Sequence, residues 1–297
     1  MENQQNTIYL NIAGFSIMLY SNSNSNFELE EGYEPFISDK KTTEADITIR
    51  CFDDMPIWPF SQEELVFEAE NEDQKFYSIF HARNDLGFLI YDQQNPGKVQ
   101  QMAVLDKSFT KWMIFSKPNS ENRLFPLKYP LGPIIMHYLT INSDAVMMHA
   151  SCAFDGTQAR LFTGFSGNGK STISKLWSEV GNQIINDDRI IIRKEKDGYF
   201  VYNTPMYYKD ISKRAPLGAI YLIRHSPENI LNKLSGALAI SKVMAFCIQN
   251  NFEKQFIQSR LNFFSDLCMH IPVCELGFVP DESVVNYVLA HEKGGDK

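Results

Sequence analysis

The chain has 297 residues, 44% of them hydrophobic and 22% charged, with a formal net charge of -8. That length is near the upper size for one hydrophobic core, so two domains are the expectation. The acidic balance and the lack of a dense Lys/Arg cluster argue against a nucleic-acid or anionic-membrane surface.

The polar N-terminus, Met1 to Thr7, lacks the basic-then-apolar layout of a signal peptide. No stretch approaches the ~18 consecutive apolar residues of a membrane span. The five cysteines form no CxxC pair, which argues against zinc or a disulfide framework and makes a reducing cytoplasm the expected location. Cys268 and Cys274 flank His270, but the apolar pattern around them reads as core.

In chain order, "TIYLNIAGFSIMLY" reads as two strands meeting near Gly14, followed by the polar loop "YSNSNSN". "ADITIRCF", "KFYSIFHA", "LGFLIYD" and "KWMIF" are short segments rich in β-branched and aromatic residues, separated by turn formers. Together they predict an antiparallel meander. Asp53-Asp54, ahead of Met55-Pro56, reads as a solvated turn. The polar "SKPNSENR" (Ser116 to Arg123) is the linker candidate, dividing a β-rich N-terminal domain, 1–122, from a second domain, 123–297.

"PIIMHYLTIN" predicts a helix with Pro133 in its first turn. "AVMMHASCAFDGTQARLFTGFSG" predicts a hairpin reversing at Asp155-Gly156, its second strand feeding a Gly-rich loop. In the next helix Ile173, Leu176, Trp177 and Val180 share one face, and Gly181 suits its C-terminal cap. "NQIIND" reads as a strand ending in carboxylates, "RIIIRKEKDGYFVYNTP" as a hairpin turning at Asp197-Gly198, and "GAIYLIR" as a further strand. "SGALAISKVMAFCIQN" and "KQFIQSRLNFFSDLCM" carry helical apolar faces. "IPVCELGF" is a strand, and Asp281 can cap a last helix, "ESVVNYVLAHEK". The whole is an α/β (α+β) chain.

Gly164-Phe165-Ser166-Gly167-Asn168-Gly169-Lys170-Ser171 satisfies GxxxxGK[ST] between a strand and an amphipathic helix. Glycines let backbone N–H groups line a concave nest, and the helix N-terminus adds partial positive charge where phosphate oxygens would lie. Gly164, Ser166, Gly167, Asn168, Gly169, Lys170, Ser171 and Thr172 are the candidate nucleotide-binding residues. Lys170 would reach the β- and γ-phosphates, and the Ser171 hydroxyl would coordinate Mg²⁺.

Asn186-Asp187-Asp188 is the second element, with Asp187 and Asp188 as its candidate chemical groups. At a strand end one carboxylate can hold Mg²⁺ while the other takes the proton of an attacking hydroxyl. The plain alternative is a solvated strand end with Asp188 paired to Arg189. His149 stands one hairpin ahead of the loop and has two readings, a packed core residue or a group beside the phosphates. Lys209 and Arg214, beyond Thr204-Pro205, could close over a ligand as cations; exposed loop charge is the simpler reading.

The ordered set "MHASCAFDGTQARLFTGFSGNGKSTISKLW…GNQIINDDRIII" resembles the catalytic core of HPr kinase/phosphorylase, and most resembles the HPr-kinase-like proteins associated with peptide-modification gene clusters. "YNTPMYYK", "APLGAIYLIRHSPEN" and "IPVCELGFVPD" look like later motifs of that group. The resemblance spans Tyr129 to Leu289 by motif order. It implies a fold related to ATP-dependent phosphoenolpyruvate carboxykinase, with a mixed sheet around the loop and C-terminal helices. It also implies that Lys170 and Ser171 handle phosphate and metal, that Asp187 and Asp188 supply metal contact and general base, and that His149 lies near the transferring phosphate. The Gly-Leu-Gly-Ile segment that follows the Asp-Asp region in HPr kinases is missing, which argues against HPr itself as acceptor. Met206-Tyr207-Tyr208 stand where relatives would carry Trp and small residues.

The expected function is therefore an ATP- and Mg²⁺-dependent kinase acting on a hydroxyl, of Ser in a protein or peptide or of a small molecule. The alternative is a nucleotide-binding adaptor or switch without kinase activity. A carboxykinase would need additional metal ligands that the sequence does not offer. Self-association is left open.

Overall fold

Period-two burial marks the N-terminal strands: in Phe15–Ser21 the residues Phe15, Ile17, Leu19 and Ser21 face inward and those between them do not. The computed structural model describes residues 6–40, 44–206, 208, 210–248 and 254–294. It divides into two compact units, Met1–Asn142 with Pro205–Ile211, and Ser143–Thr204 with Ser212–Lys297.

The first unit is built on β1 (Asn6–Ile12), β2 (Phe15–Ser21), β3 (Asn26–Phe27), β4 (Ile47–Phe52), β5 (Leu65–Asn71), β6 (Gln74–Ala82), β7 (Asp85–Tyr91), β8 (Val99–Leu105), β9 (Lys111–Ser116), β10 (Arg123–Leu124) and α1 (Leu131–Ile141). Its main sheet runs β1-β2-β4-β9-β8-β7-β6-β5, and β3 pairs with β10. From β5 to β9 the sheet is the expected antiparallel meander, but β4 lies parallel to both β2 and β9. β5, "LVFEAEN", escapes the sequence pattern because Val66 and Phe67 are exposed. The unit extends beyond the polar stretch at Ser116 to Arg123 because α1 packs on the sheet. Its Tyr138 ring lies 5.5 Å from Phe88 and 5.8 Å from Trp112.

The second unit contains β11 (Ala145–Phe154), β12 (Ala159–Thr163), α2 (Lys170–Glu179), β13 (Gln183–Asn186), β14 (Arg189–Glu195), β15 (Gly198–Asn203), β16 (Arg214–His225), β17 (Ile230–Leu234), α3 (Gly236–Met244), α4 (Ile257–His270), β18 (Val273–Phe278) and α5 (Ser283–Gly294). Two long strands organise it. β11 pairs with β14 along its first half and with β12 and β13 along its second. β16 pairs with β15 at its start, then with β12 and β18. β12 thus lies antiparallel to β11 and parallel to β16, giving the mixed sheet that the resemblance implied.

Alternation along β12 feeds two cores. Leu161 joins the one covered by Val243 of α3 and by Phe264 and Leu267 of α4, while Phe162 joins Ile173 and Trp177 of α2 and Val285 and Val288 of α5. Helices therefore cover both faces. Val180, expected on the buried face of α2, is 48% exposed because the helix ends before it. Asp281 caps α5 as expected, its carboxylate accepting from the Ser283 N–H at 2.9 Å.

Arg160, 2% exposed, ties these layers together. Its guanidinium holds Glu292 of α5 through two bonds of 2.8 and 2.5 Å, reaches Asp155 at 2.8 Å, and lies 4.9 Å from the Trp177 ring centroid. Trp177 is fully buried between these groups and Phe162. Trp177→Ala would leave a cavity under α2 and cost about 3–5 kcal/mol of stability, readable as a lowered urea midpoint with an unchanged m-value.

Candidate functional site

The phosphate-type loop joins β12 to α2 as the sequence predicts, and two of its glycines, Gly164 and Gly169, are needed for space. Gly169 is the N-cap of α2 at φ +92°, and a Cβ there would stand 2.8 Å from the Phe278 ring. A Cβ on Gly164 would meet the Ile223 carbonyl oxygen at the same distance. The loop closes on itself through an Asn168 N–H to Phe165 carbonyl bond, and the Asn168 amide donates to the Ile223 carbonyl at 2.9 Å. On its outer side the His225 ring meets the Gly167 carbonyl at 3.0 Å and stacks on Phe278. Ser166, Gly167, Ser171 and Thr172 are exposed, so the loop's concave side and the first turn of α2 are open to a ligand.

Lys170 is buried, and its ammonium donates to the carbonyls of Gly164 at 3.0 Å and Phe165 at 3.3 Å. Burial lowers its pKa, against a raising influence of the Asp188 carboxylate. Behind it, the buried Ser151 hydroxyl of β11 donates to the Lys170 carbonyl at 3.1 Å. The start of α2 is thereby fixed to the neighbouring strand.

His149 and Asp188 reach the same place from two strands. His149 pairs with Arg189 in the β11–β14 register, and the Ala150 N–H donates to the Asp188 carbonyl. His149 Nε2 lies 3.7 Å from Asp188 Oδ1, while Asp188 Oδ2 accepts from Arg189 at 2.6 Å. The pairing with Arg189 is the plain alternative that the sequence left open, and it coexists with the approach to His149. The His149 side chain is half exposed, so it is no core residue. Burial first, then the charges of Lys170 and Arg189, lower its pKa, and Asp188 opposes them. The imidazole is held neutral beside a cationic loop.

Asp187 and Asp188 occupy a bend between β13 and β14, not the strand end expected. Strand alternation therefore does not orient them. Asn186 does: its Oδ1 accepts from the Asp187 N–H at 2.8 Å, and its amide donates to the Arg189 carbonyl at 3.0 Å. Thr204 completes the knot, its hydroxyl donating to the Arg189 carbonyl at 3.1 Å. Asn186 and Thr204 are 3% and 2% exposed, which makes them positioning groups for the two carboxylates. The sequence reading included Asn186 in this element but gave it no role, although an amide directly before two carboxylates was a signal for such a turn.

Arg214 is exposed, as the simpler reading expected, but it opens β16 instead of lying in a loop, and it is held in place: it is bound to Glu195 at 2.8 Å and lies 3.5 Å from the Phe200 ring centroid. Lys209 lies outside the described residues. α3 ends at Met244 instead of running on, because the chain turns to lie beside β11. There the Phe246 carbonyl accepts from the His149 N–H, and the Ile248 N–H donates to the Met147 carbonyl.

A hydroxyl at Ser171 and a carboxylate at Asp187 suit Mg²⁺, which keeps most of its waters and binds through one or two carboxylates and substrate phosphates. Among the described residues, no group of three or more His, Cys, Asp or Glu side chains could hold a metal alone. The described helices include none long and apolar enough to cross a membrane.

Residues 134–217, which carry His149, the loop and both carboxylates, match the family model described as phosphoenolpyruvate carboxykinase. This is the fold family to which the motif order pointed. The HPr(Ser) kinase/phosphatase of Coxiella burnetii is a similar solved structure, with 12% identity over 50% of this chain and 94% of that chain and a TM-score of 0.30. That likeness is too distant to carry residue roles. No curated protein matches the chain.

The lowered His149 pKa has a consequence for stability. Above its ordinary value of 6.5 the imidazole is neutral in folded and unfolded chains, and no penalty arises. As pH falls from 6.5 toward the lowered folded value, the unfolded chain takes up the proton first and stability is lost. Wild type should therefore lose stability relative to His149→Gln between pH 7 and pH 5, measured by urea unfolding at each pH.

Proposed function

We propose that this chain is an ATP- and Mg²⁺-dependent phosphotransferase acting on a hydroxyl, of Ser in a protein or peptide or of a small molecule. The observation that carries the reading is the convergence of three elements on one loop. Lys170 sits in its carbonyl cradle, and His149 from β11 and Asp188 from the β13–β14 bend stand beside it.

Phosphoryl transfer needs little covalent chemistry from a protein, so positioning and charge stabilisation do most of the catalysis. The N–H groups at the first turn of α2, from Lys170 to Thr172, and the Lys170 ammonium would bind the phosphates. Ser171 and Asp187 would hold the metal, which when bound neutralises charge on the phosphate oxygens. Asp188 would take the acceptor's proton as the new oxygen–phosphorus bond forms and ADP leaves. His149, neutral, can orient Asp188 without adding a charge.

A second reading has its own observation. Asp188 already accepts a bond from Arg189, as it would in a nucleotide-binding adaptor that performs no transfer. The family description adds a third, carboxykinase outcome, for which oxaloacetate-dependent ATP consumption is the readout.

Lys170→Ala and Asp188→Asn should each lower phosphate transfer from radiolabelled ATP by about a hundredfold or more while leaving the circular dichroism unchanged. Transfer that survives in Asp188→Asn would remove its role as base. ATP binding by the wild type without any phosphorylated product from cell-extract acceptors would favour the adaptor.

A further inference from the structure

Phe165 is the second residue of the phosphate-type loop and is 71% exposed. A loop that must hold its backbone rigid gains little from an aromatic ring in water. The Phe165 carbonyl is one of the two that hold the Lys170 ammonium. On the proposed reading Lys170 would reach the terminal phosphates, so Phe165 belongs to the part of the loop nearest the transferring phosphate. Its ring packs on that of Phe246, with ring centroids 5.1 Å apart and planes at 76°, an edge-to-face pair. Phe246 flanks His149: its carbonyl accepts the His149 N–H, and Cys247 bridges to Met148 in the same antiparallel run.

Two residues whose rings pack together thus adjoin the cluster through their backbones, Phe165 at Lys170 and Phe246 at His149. An apolar ring offers nothing to a phosphate oxygen. What it can meet is the body of a second ligand whose hydroxyl is directed at Asp188. We propose that Phe165, backed by Phe246, is a specificity-determining wall that selects acceptors carrying an aromatic or large apolar group next to the reacting hydroxyl. The proposal rests on the phosphotransferase reading and adds the acceptor class to it. The opposite use of the ring, stacking on the nucleotide base, is an outcome of the test.

The probes are two capped dipeptides, N-acetyl-Phe-Ser-amide and N-acetyl-Gly-Ser-amide, offered to the full chain saturated with Mg²⁺ and a non-hydrolysable ATP analogue. Binding is followed by saturation-transfer NMR, which requires no turnover. The Phe-Ser probe should bind roughly tenfold more tightly than the Gly-Ser probe. Phe165→Ala should abolish that preference, Phe165→Tyr should keep it, and affinity for the ATP analogue should stay within about twofold in both variants. The proposal is overturned if neither dipeptide binds, if Phe165→Ala keeps the preference, or if Phe165→Ala weakens the ATP analogue instead. Phe-Ser binding that depends on Phe165, with no phosphate transfer from ATP to any acceptor, would sink the phosphotransferase reading and leave the aromatic wall standing.

Discussion

A buried ammonium needs partners, and the second unit is arranged around giving them to Lys170. Taking a lysine out of water is costly unless its donors are satisfied. Here the loop's own carbonyls, of Gly164 and Phe165, turn inward to accept them. That inward turn orders the rest. It demands glycine where Phe278 and Ile223 press close and leads into the N-cap at Gly169, where α2 begins. The contacts of Ser151 and His225 from outside the loop, and of the loop's own Asn168 with Ile223, all brace the same geometry. The lowered Lys170 pKa is the residual cost of this arrangement, and a phosphate is the ligand that would relieve it.

Topology delivers the remaining groups. β11 and β16 each serve three neighbours along their length, and the strand that feeds the loop is enclosed between them. Halfway along β11 the partner changes from β14 to β12, and His149 stands at that change. Its carbonyl accepts the Thr163 hydroxyl at the end of β12, its N–H binds the Phe246 carbonyl, and its cross-strand partner is Arg189. A residue at a strand junction is braced on several sides while its side chain stays accessible. That combination suits a group that must act on a ligand.

The loop was legible because its chemistry is local. Glycine spacing, the Lys-Ser pair and the flanking strand and helix lie within one short run. The hairpins at Asp155-Gly156 and Asp197-Gly198 were legible for the same reason, since turn residues act over two positions. What escaped the sequence depends on distant partners. β4 lies parallel between β2 and β9, a relation that no local pattern encodes. The early end of α3 is decided by backbone pairing with β11, although the apolar period runs on through Phe246. The role of Asn186 was hidden because its work is done by an amide bonding forward to Asp187, Arg189 and Thr204. Arg214 looked like a loop cation only because Glu195 and Phe200, far back in sequence, could not be seen to hold it.

The bond between Asp188 and Arg189 bears on which functional reading the site favours. Their side chains are 34% and 23% exposed, so the pair is solvated rather than sealed in the core. Ion pairs of that kind contribute roughly 0–1 kcal/mol, far less than the pull of several phosphate charges on a nearby guanidinium. The interaction therefore does not lock Asp188 into a structural role. Phosphate oxygens in the loop would compete for Arg189 and draw on Lys170, whose charge is under-solvated in its cradle. The carboxylate oxygen so released would keep His149 beside it and gain room for a donor of its own. On the proposed phosphotransferase reading, nucleotide binding would then free the carboxylate that the acceptor hydroxyl needs, phosphate first and acceptor second.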